Sequence, residues 1–479
     1  MKKISILLAT VLIIANIHAQ DIVGAWMGSL KAGAVKLRIV IHVNKTEKGL
    51  TATFDSPDQK AYGLLVNKVE LVKDSLLCEI QLIKGGYRAS WDGKDALTGT
   101  FSQGPGSFPI DMKRLKDDEI PKQEVKIRPQ TPKEPFGYSA EEVEYDNADK
   151  TIHYGATLTK PTNQTGFPTV IIITGSGTQD RDGTMMGHKT YAVLADLLTK
   201  QGVAVLRVDD RGIGKSNLGI GVDPTKLTSK DFAVDVNNSI NYLLSRADID
   251  KKKIGLIGHS EGGMIAPMVA VKNQTVAFLV LLAGPGTSGQ QIWDFQMGRN
   301  IIKPNLSEAD KATATEIINK MNEPFAKSTD LKTITDQMKA NYADWKKNVR
   351  NSKENDLLYA NPEESFLKVA KQFQSGLYWL NYFLNYQPAE NLQKIRIPVL
   401  ALNGSNDIQI NSTENLAGID AALKKAGNTH YQIKELEGLN HLFQTSKNKD
   451  QAYESIDETF SPIAAAIAAN WILTEGVKK

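Results

Sequence analysis

Residues 258–262 spell Gly-His-Ser-Glu-Gly, a Gly-x-Ser-x-Gly pattern that sets one serine between two glycines. The apolar run 254–257 before it suits a strand, and residues 263–270 after it suit a helix. A sharp turn between a strand and a helix lifts a serine hydroxyl above a sheet, and the strained bend has room only for glycine two residues to either side. The sequence therefore predicts that Ser260 is a nucleophile.

A serine nucleophile needs a base that takes its proton and an acid that holds the base in one tautomer. In a parallel sheet such groups follow the carboxyl ends of the strands. His441 comes after a predicted strand at 431–435, and Asp407 comes after one at 398–402. The chain order serine, acid, histidine is the order that accompanies a nucleophile elbow. We therefore predict a triad of Ser260, Asp407 and His441.

Other histidines and acids fit the triad less well. His188 lies on a loop or at a helix start and is the rival base, whereas His430 precedes its strand and His259 is expected to be buried in the elbow. Glu414 and Asp420 are alternative acids, but both fall within the helix predicted to follow the strand. Topology therefore favours His441 and Asp407.

The tetrahedral intermediate of such a reaction needs N–H donors for its oxyanion. Residues 171–177 end a strand in a loop of small residues, whose amides can approach a ligand closely. We predict that the main-chain amides of Ser176 and Glu261 form the oxyanion hole, with Gly177 as the alternative to Ser176. No Gly-Lys-Ser/Thr closes this loop, which argues against a phosphate site. The predicted chemistry uses no metal and no cofactor.

Strands and helices alternate around these residues. The predicted strands are 169–173, 203–208, 254–257, 277–282, 398–402 and 431–435, and the predicted helices include 191–200, 232–244 and 463–473. This alternation predicts a parallel sheet covered on both faces.

Between residues 284 and 395 the alternation gives way to amphipathic helices, which predict a helical cap inserted in the sheet. Within it Tyr378 and Tyr382 share one helical stripe, and Trp379 lies on another. Such stripes are usually core, and substrate contact is the alternative. These three residues and Gly177 are the candidate substrate-binding residues.

The N-terminal part of the chain alternates with a period of two, as Val35, Leu37, Ile39 and Ile41 illustrate. That pattern predicts a small antiparallel barrel or sandwich. Prolines and charges in the following segment then predict a linker.

The first twenty residues have a basic start, an apolar run and a small residue near the end, as in a signal peptide, so we expect export to the periplasm or beyond.

The near balance of basic and acidic residues limits the classes of partner that we expect. The chain has 57 Lys and Arg against 54 Asp and Glu, a formal net charge of +3, and nucleic acid is not expected to bind so balanced a protein. No later apolar run is long enough for a membrane span. The single cysteine, Cys78, excludes an intrachain disulfide.

Residues 138–475 resemble the α/β-hydrolase family, particularly its exported bacterial esterase and serine-aminopeptidase-like branch. Residues 209–216, Asp-Asp-Arg-Gly-Ile-Gly-Lys-Ser, are similar to the Asp-x-Arg-Gly-x-Gly-x-Ser loop of that branch, and residues 175–182 are similar to its oxyanion loop. Thr174 stands where the family usually has histidine. Arg211 and Asp180 to Asp182 are expected to bind their own loops. The alternative is that they line the acyl pocket.

The resemblance implies an α/β fold, a doubly wound, mostly parallel sheet with a helical cap insertion, preceded by a small all-β N-terminal domain. The expected boundaries are a signal peptide at 1–20, the β domain at 21–115, a linker at 116–137, the hydrolase core at 138–286 and 395–479, and the cap at 287–394.

The function expected from these residues is that of a carboxylesterase acting on small acyl esters through an acyl-enzyme. One alternative is a serine aminopeptidase with the same triad, which would hold a substrate ammonium with a cap acid such as Glu363, Glu364 or Asp356. Another is a non-catalytic protein that binds glycans or apolar ligands through the N-terminal domain.

Overall fold

The computed structural model of the chain describes residues 22–478 apart from 33–34, 47–48, 60, 81–82, 105, 122–126, 163 and 350. The chain divides into two compact units, Met1–Val125 and Lys126–Lys479. The predicted signal peptide, residues 1–20, lies outside the described residues, and export stays a prediction. No helix in the described part of the chain is long and apolar enough to span a membrane.

The N-terminal unit is a nine-stranded antiparallel sheet in the residues that the structure describes. Its strands are β1 (Gly24–Ala32), β2 (Val35–Thr46), β3 (Gly49–Ser56), β4 (Ala61–Val66), β5 (Lys68–Val72), β6 (Ser75–Ile80), β7 (Gly85–Trp91), β8 (Ala96–Gln103) and β9 (Gly106–Arg114). Their order is β4-β3-β2-β1-β9-β8-β7-β6-β5, and the sheet curls so that its two ends meet. Inward residues of most of these strands, among them Trp26, Cys78 and Tyr87, are buried in one apolar cluster, and Val69 and Leu71 of β5 pack against it partly buried. The all-β prediction is confirmed.

The C-terminal unit contains the mixed sheet of an α/β protein. Its strands are β10 (Ser139–Asp146), β11 (His153–Lys160), β12 (Thr169–Ile173), β15 (Ala204–Val208), β16 (Ile254–His259), β17 (Leu279–Leu282), β18 (Val399–Gly404) and β19 (Tyr431–Leu436), while β13 (Thr184–Met185) and β14 (His188–Lys189) form a separate small hairpin. The order is β10-β11-β15-β12-β16-β17-β18-β19. Strand β11 pairs antiparallel with both of its neighbours, β10 and β15, and the other pairs are parallel, which confirms the predicted mostly parallel sheet.

Helices cover both faces of this sheet. They are α1 (Thr190–Lys200), α2 (Ser229–Ser245), α3 (Glu261–Ala270), α11 (Ser412–Ala426) and α12 (Pro462–Trp471). Along β12, Ile171 and Ile173 join the apolar cluster under α2, α3 and α11, whereas Val170 and Ile172 join the cluster under α1 and α12. A strand buried on both faces must be apolar throughout, which explains its continuous run of aliphatic residues.

The helical cap lies between β17 and β18. It comprises α4 (Gly289–Ile301), α5 (Glu308–Lys327), α6 (Leu331–Asn348), α7 (Asn351–Leu357), α8 (Pro362–Gln372), α9 (Leu377–Asn385) and α10 (Ala389–Leu392). An apolar cluster around Phe325, Trp345 and Phe366 holds helices α4 to α9 together, and Met264 of α3 belongs to the same cluster. The cap therefore packs directly on the helix that follows Ser260.

The predicted linker, 116–137, spans the boundary between the two units, and its second half packs into the C-terminal unit. Arg128 is 1% exposed, and its guanidinium donates to the carbonyl oxygens of Met186, Glu454 and Ile456. The side chain of Gln130 accepts from the main-chain N–H of Phe460 and donates to that residue's carbonyl.

Candidate active site

Ser260 stands in the tight turn between β16 and α3. Its backbone has φ 54° and ψ −117°, a left-handed conformation that costs a non-glycine residue about 1–3 kcal/mol. A Cβ at Gly258 would lie 2.1 Å from the carbonyl O of Gly262, and a Cβ at Gly262 would lie 2.2 Å from the carbonyl O of Ile173. The residues flanking Ser260 are buried whereas Ser260 itself is partly exposed. The backbone around the turn is therefore packed so closely that only glycine fits at 258 and 262, while the serine between them stays accessible.

The side chains of Asp407 and His441 are in contact. His441 Nδ1 lies 2.8 Å from Asp407 Oδ2, and both side chains are almost wholly buried. The other carboxylate oxygen, Oδ1, accepts the main-chain N–H groups of Gln409 and Ile410. Because the carboxylate acts as acceptor in all three contacts, Nδ1 of His441 carries the proton. Nε2 of the neutral imidazole is then an acceptor, as a general base requires.

His259, the residue before Ser260, ties the elbow to the His441 loop. Its Nε2 lies 2.9 Å from the main-chain carbonyl O of His441, so Nε2 is the protonated nitrogen. Its Nδ1 therefore accepts the hydroxyl of Tyr191 at 3.1 Å, and that hydroxyl in turn accepts the N–H of Gly175 at 3.0 Å. Burial lowers the pKa of His259 to about 4, which keeps it neutral near pH 7. One imidazole thus joins the elbow, the His441 loop and the oxyanion loop.

The predicted oxyanion loop lies beside the serine. A Cβ built on Gly175 would be 3.3 Å from the Cβ of Ser260, so Ser176 follows a residue that touches the elbow. The side chain of Asp210 braces the loop by accepting from the Thr174 hydroxyl and from the N–H of Gln179. Burial raises the pKa of Asp210 to about 7.

The residues resembling the family loop at 209–216 mainly bind other loops and helices. Asp209 accepts the N–H and guanidinium of Arg181, and Arg211 pairs with Asp235 of α2. Asp182 pairs with Arg207 and Lys189. These ion pairs stiffen the connections around the elbow.

A cavity opens below the elbow between the sheet and α2. Residues of the oxyanion loop and of α3, including Gly177 and Glu261, line it together with these side chains: Tyr154, Ile171, Ile173, Asp210, Arg211, Phe232, Asp235 and Ile265. Most of its walls are apolar, and Asp209, Asp210, Asp235 and Glu261 supply carboxyl groups. Among the candidate substrate-binding residues, Gly177 is therefore at the cavity, whereas Tyr378, Trp379 and Tyr382 are not among its lining residues in the described structure.

The three cap aromatics have separate environments. Tyr378 is 42% exposed. Trp379 donates its indole N–H to Oε1 of Glu261 at 2.9 Å, and the ring of Tyr382 lies under the ammonium of Lys230, 5.0 Å from its centroid. The link between Trp379 and Glu261 has no signal in the sequence, because the two residues lie 118 positions apart and only folding brings them together.

The rival residues lie elsewhere. His188 is fully buried between the side chains of Thr459 and Gln444. His430 is at the amino end of β19, Glu414 is exposed in the first turn of α11, and Asp420 binds Lys424 and Tyr431. His259 and Tyr191 are the residues that sequence reasoning missed, since an apolar helix and a motif interior show no sign of a shared hydrogen bond.

Comparison with known proteins identifies the family of this chain. Residues 182–448, more than half of the chain, match the family model described as serine aminopeptidase, S33. A stretch of 141 residues is 29% identical to esterase EstD of Thermotoga maritima, and it covers 29% of this chain and only 32% of that relative. Similar solved structures include an esterase of Pyrococcus furiosus (14% identity, TM-score 0.41, 71% of this chain and 92% of that one). Another is the α/β-hydrolase GrgF of Penicillium sp. sh18 (16% identity, TM-score 0.39, 64% and 91%). On the family match, the chain belongs to the serine aminopeptidase S33 family of α/β-hydrolases.

Proposed function

We propose that this hydrolase is a carboxylesterase that cleaves small acyl esters with Ser260, His441 and Asp407. The observation that carries the proposal is the 2.8 Å contact between His441 Nδ1 and Asp407 Oδ2, with Oδ1 saturated by two amides. It fixes the imidazole in the tautomer whose Nε2 can accept a proton. His259, next to Ser260, binds the carbonyl of His441 and so keeps the two loops adjacent.

The chemistry follows from these roles. The Ser260 hydroxyl oxygen attacks the ester carbonyl carbon while His441 Nε2 takes its proton. The amides of Ser176 and Glu261 stabilise the oxyanion, and His441 then returns the proton to the departing alcohol oxygen. The remaining acyl-enzyme is attacked by water, with His441 again taking a proton, which releases the carboxylic acid and the free serine.

The apolar walls of the cavity beside the elbow support a small acyl group. Ile171, Phe232 and Ile265 make the cavity largely apolar, and the cap packs against α3. The relative EstD, named as an esterase, supports the same class of substrate.

The test is hydrolysis of p-nitrophenyl acetate by wild type, Ser260→Ala and the matched control Ser245→Ala. Ser245 lies at the end of α2, exposed, and donates only to Tyr242 among the described residues. We expect Ser260→Ala to lose ~10⁴-fold or more in kcat and Ser245→Ala to keep wild-type activity. Labelling of wild type but not Ser260→Ala by a fluorophosphonate probe identifies the nucleophile independently. Comparable turnover by wild type and Ser260→Ala would refute the proposal.

The family description makes an aminopeptidase the second candidate. The cap acids considered for binding an ammonium, Glu364 and Asp356, are exposed, and none of the three is a lining residue of the described cavity. The carboxyl groups among the cavity's lining residues belong instead to Asp209, Asp210, Asp235 and Glu261. Comparing kcat/KM for aminoacyl p-nitroanilides with that for acyl p-nitrophenyl esters separates the candidates, and a preference for the anilides would favour the peptidase.

A further inference from the structure

We propose that the side chain of Glu261 is a positioning group through which the cap residue Trp379 holds the oxyanion hole in place. The inference rests on the proposed function, because it assigns a task to the residue whose main-chain amide is one of the two predicted oxyanion donors. The carboxyl group of this same residue reaches the cap.

The carboxyl group of Glu261 accepts hydrogen bonds from two elements. Its Oε1 accepts the indole N–H of Trp379, from α9, at 2.9 Å and the hydroxyl of Ser229, from the start of α2, at 2.6 Å. Glu261 is 2% exposed, and its burial raises the pKa of the carboxyl group while these donors oppose the rise. One buried carboxyl group, on a predicted oxyanion residue, therefore joins the cap to the start of α2.

The indole is itself held in a fixed orientation. The ring of Trp379 is stacked with Phe373, at 6.4 Å between centroids, and with Phe383 at 5.5 Å, with interplanar angles of 15° and 17°. Helix α9 also meets α3 where the Tyr386 hydroxyl donates to the carbonyl O of Met264 at 3.3 Å. A stacked ring on a packed helix presents its N–H in one direction, so it can fix the carboxyl group that accepts it.

The consequence concerns the direction of the Glu261 amide. This residue occupies the first position of α3, where its main-chain N–H has no partner within the helix and is available to a ligand. A side chain held at its far end restrains the backbone that carries it. Removal of an oxyanion donor costs roughly 10²–10³ in kcat, and a displaced donor costs less. We expect loss of the Trp379 hydrogen bond to lower kcat about tenfold.

The experiment compares Trp379→Phe with Trp293→Phe, using p-nitrophenyl acetate. The first change removes the N–H and keeps an aromatic ring in the stack. The control alters another cap tryptophan, whose buried Nε1 has no hydrogen-bond partner in the described structure. We expect Trp379→Phe to lower kcat about tenfold at nearly constant KM. The same variant should weaken the binding of a boronic acid inhibitor, which forms a tetrahedral adduct, by a similar factor. Trp293→Phe should leave both kcat and this binding unchanged.

A second pair of variants checks the carboxyl group itself. Glu261→Ala removes the acceptor, and Glu261→Gln restores an oxygen that can accept from Trp379, so the glutamine is expected to recover most of the kcat that the alanine loses. Unchanged kcat in Trp379→Phe, a rise in KM alone, or an equal loss in Trp293→Phe would each overturn the inference. An active Ser260→Ala variant would instead refute the proposed function, so the two failures are distinct.

Discussion

His259 Nε2 lies 2.9 Å from the main-chain carbonyl oxygen of His441, which makes the imidazole before the serine a donor to the loop that carries the predicted base. Its other nitrogen accepts from Tyr191, so both ring nitrogens are engaged only in the neutral form. This arrangement links the pH dependence of folding to one buried side chain.

We predict that the free energy of unfolding falls as the pH drops from about 6.5 to about 4. The unfolded chain protonates His259 near its ordinary pKa of 6.5, whereas the folded protein holds the pKa at about 4. Between these values the unfolded state binds more protons, so stability present above pH 6.5 is lost on acidification, by up to about 3 kcal/mol. Urea titrations at pH 7 and pH 4.5 measure this loss. His259→Gln should lose less than wild type, and an equal loss in both would contradict the assignment.

Asp407→Asn should lower kcat by ~10⁴-fold while the fold is kept. An amide in place of the carboxylate presents a donor or a weaker acceptor to Nδ1, and the imidazole then favours the tautomer with its proton on Nε2, where it cannot act as base. Stopped assays of p-nitrophenyl acetate hydrolysis measure the change. Asp420→Asn is the matched control, because Asp420 binds Lys424 and Tyr431 outside the site, and it should keep full activity. Similar losses in both variants would remove Asp407 from the triad.

Gly262→Ala should destabilise the protein by about 2 kcal/mol or more, because the new Cβ would meet the carbonyl O of Ile173 at 2.2 Å and neither backbone can move freely. Gly376→Ala is the control, since a Cβ there has no heavy atom within 4 Å. Denaturant midpoints of the two variants give the comparison. If both unfold at the same midpoint, the elbow is less tightly packed than its contacts indicate.

Cys78 should be unreactive in the native protein. It is fully buried in the N-terminal unit, and burial raises the pKa of its thiol to about 12. At pH 8 we expect iodoacetamide to alkylate the native chain about 10³-fold more slowly than the urea-denatured chain, since the thiolate is the reactive form. Intact mass spectrometry is unambiguous because the chain has one cysteine. Rapid alkylation without denaturant would mean that this sheet opens readily.

The sequence was sufficient for the fold because its strongest signals are local. Residues 169–173 form β12 as predicted, and the motif at 258–262 forms the turn between β16 and α3. Asp407 and His441 could be paired because each follows a strand of one parallel sheet, so topology alone brings them to the same edge.

Long-range hydrogen bonds were beyond sequence reasoning. His259 and His441 are 182 positions apart, and Tyr191 lies on a helix whose apolar pattern predicts only burial. Helical period placed Trp379 on a different stripe from Tyr378 and Tyr382, and such a period shows the face of a residue but not the partner of its N–H. The anchoring of Arg128 was missed because a guanidinium that binds carbonyl oxygens leaves no hydrophobic pattern.

The position of the cap within the sheet has one more consequence. Because β17 and β18 are parallel neighbours, the chain needs a crossover of at least a dozen residues to return from the end of one to the start of the other. The cap is an enlarged form of this required crossover connection. Lengthening or shortening the cap leaves the hydrogen bonds between β17 and β18 intact. We therefore expect relatives of this protein to differ most in their choice of substrate and least in their catalytic side chains.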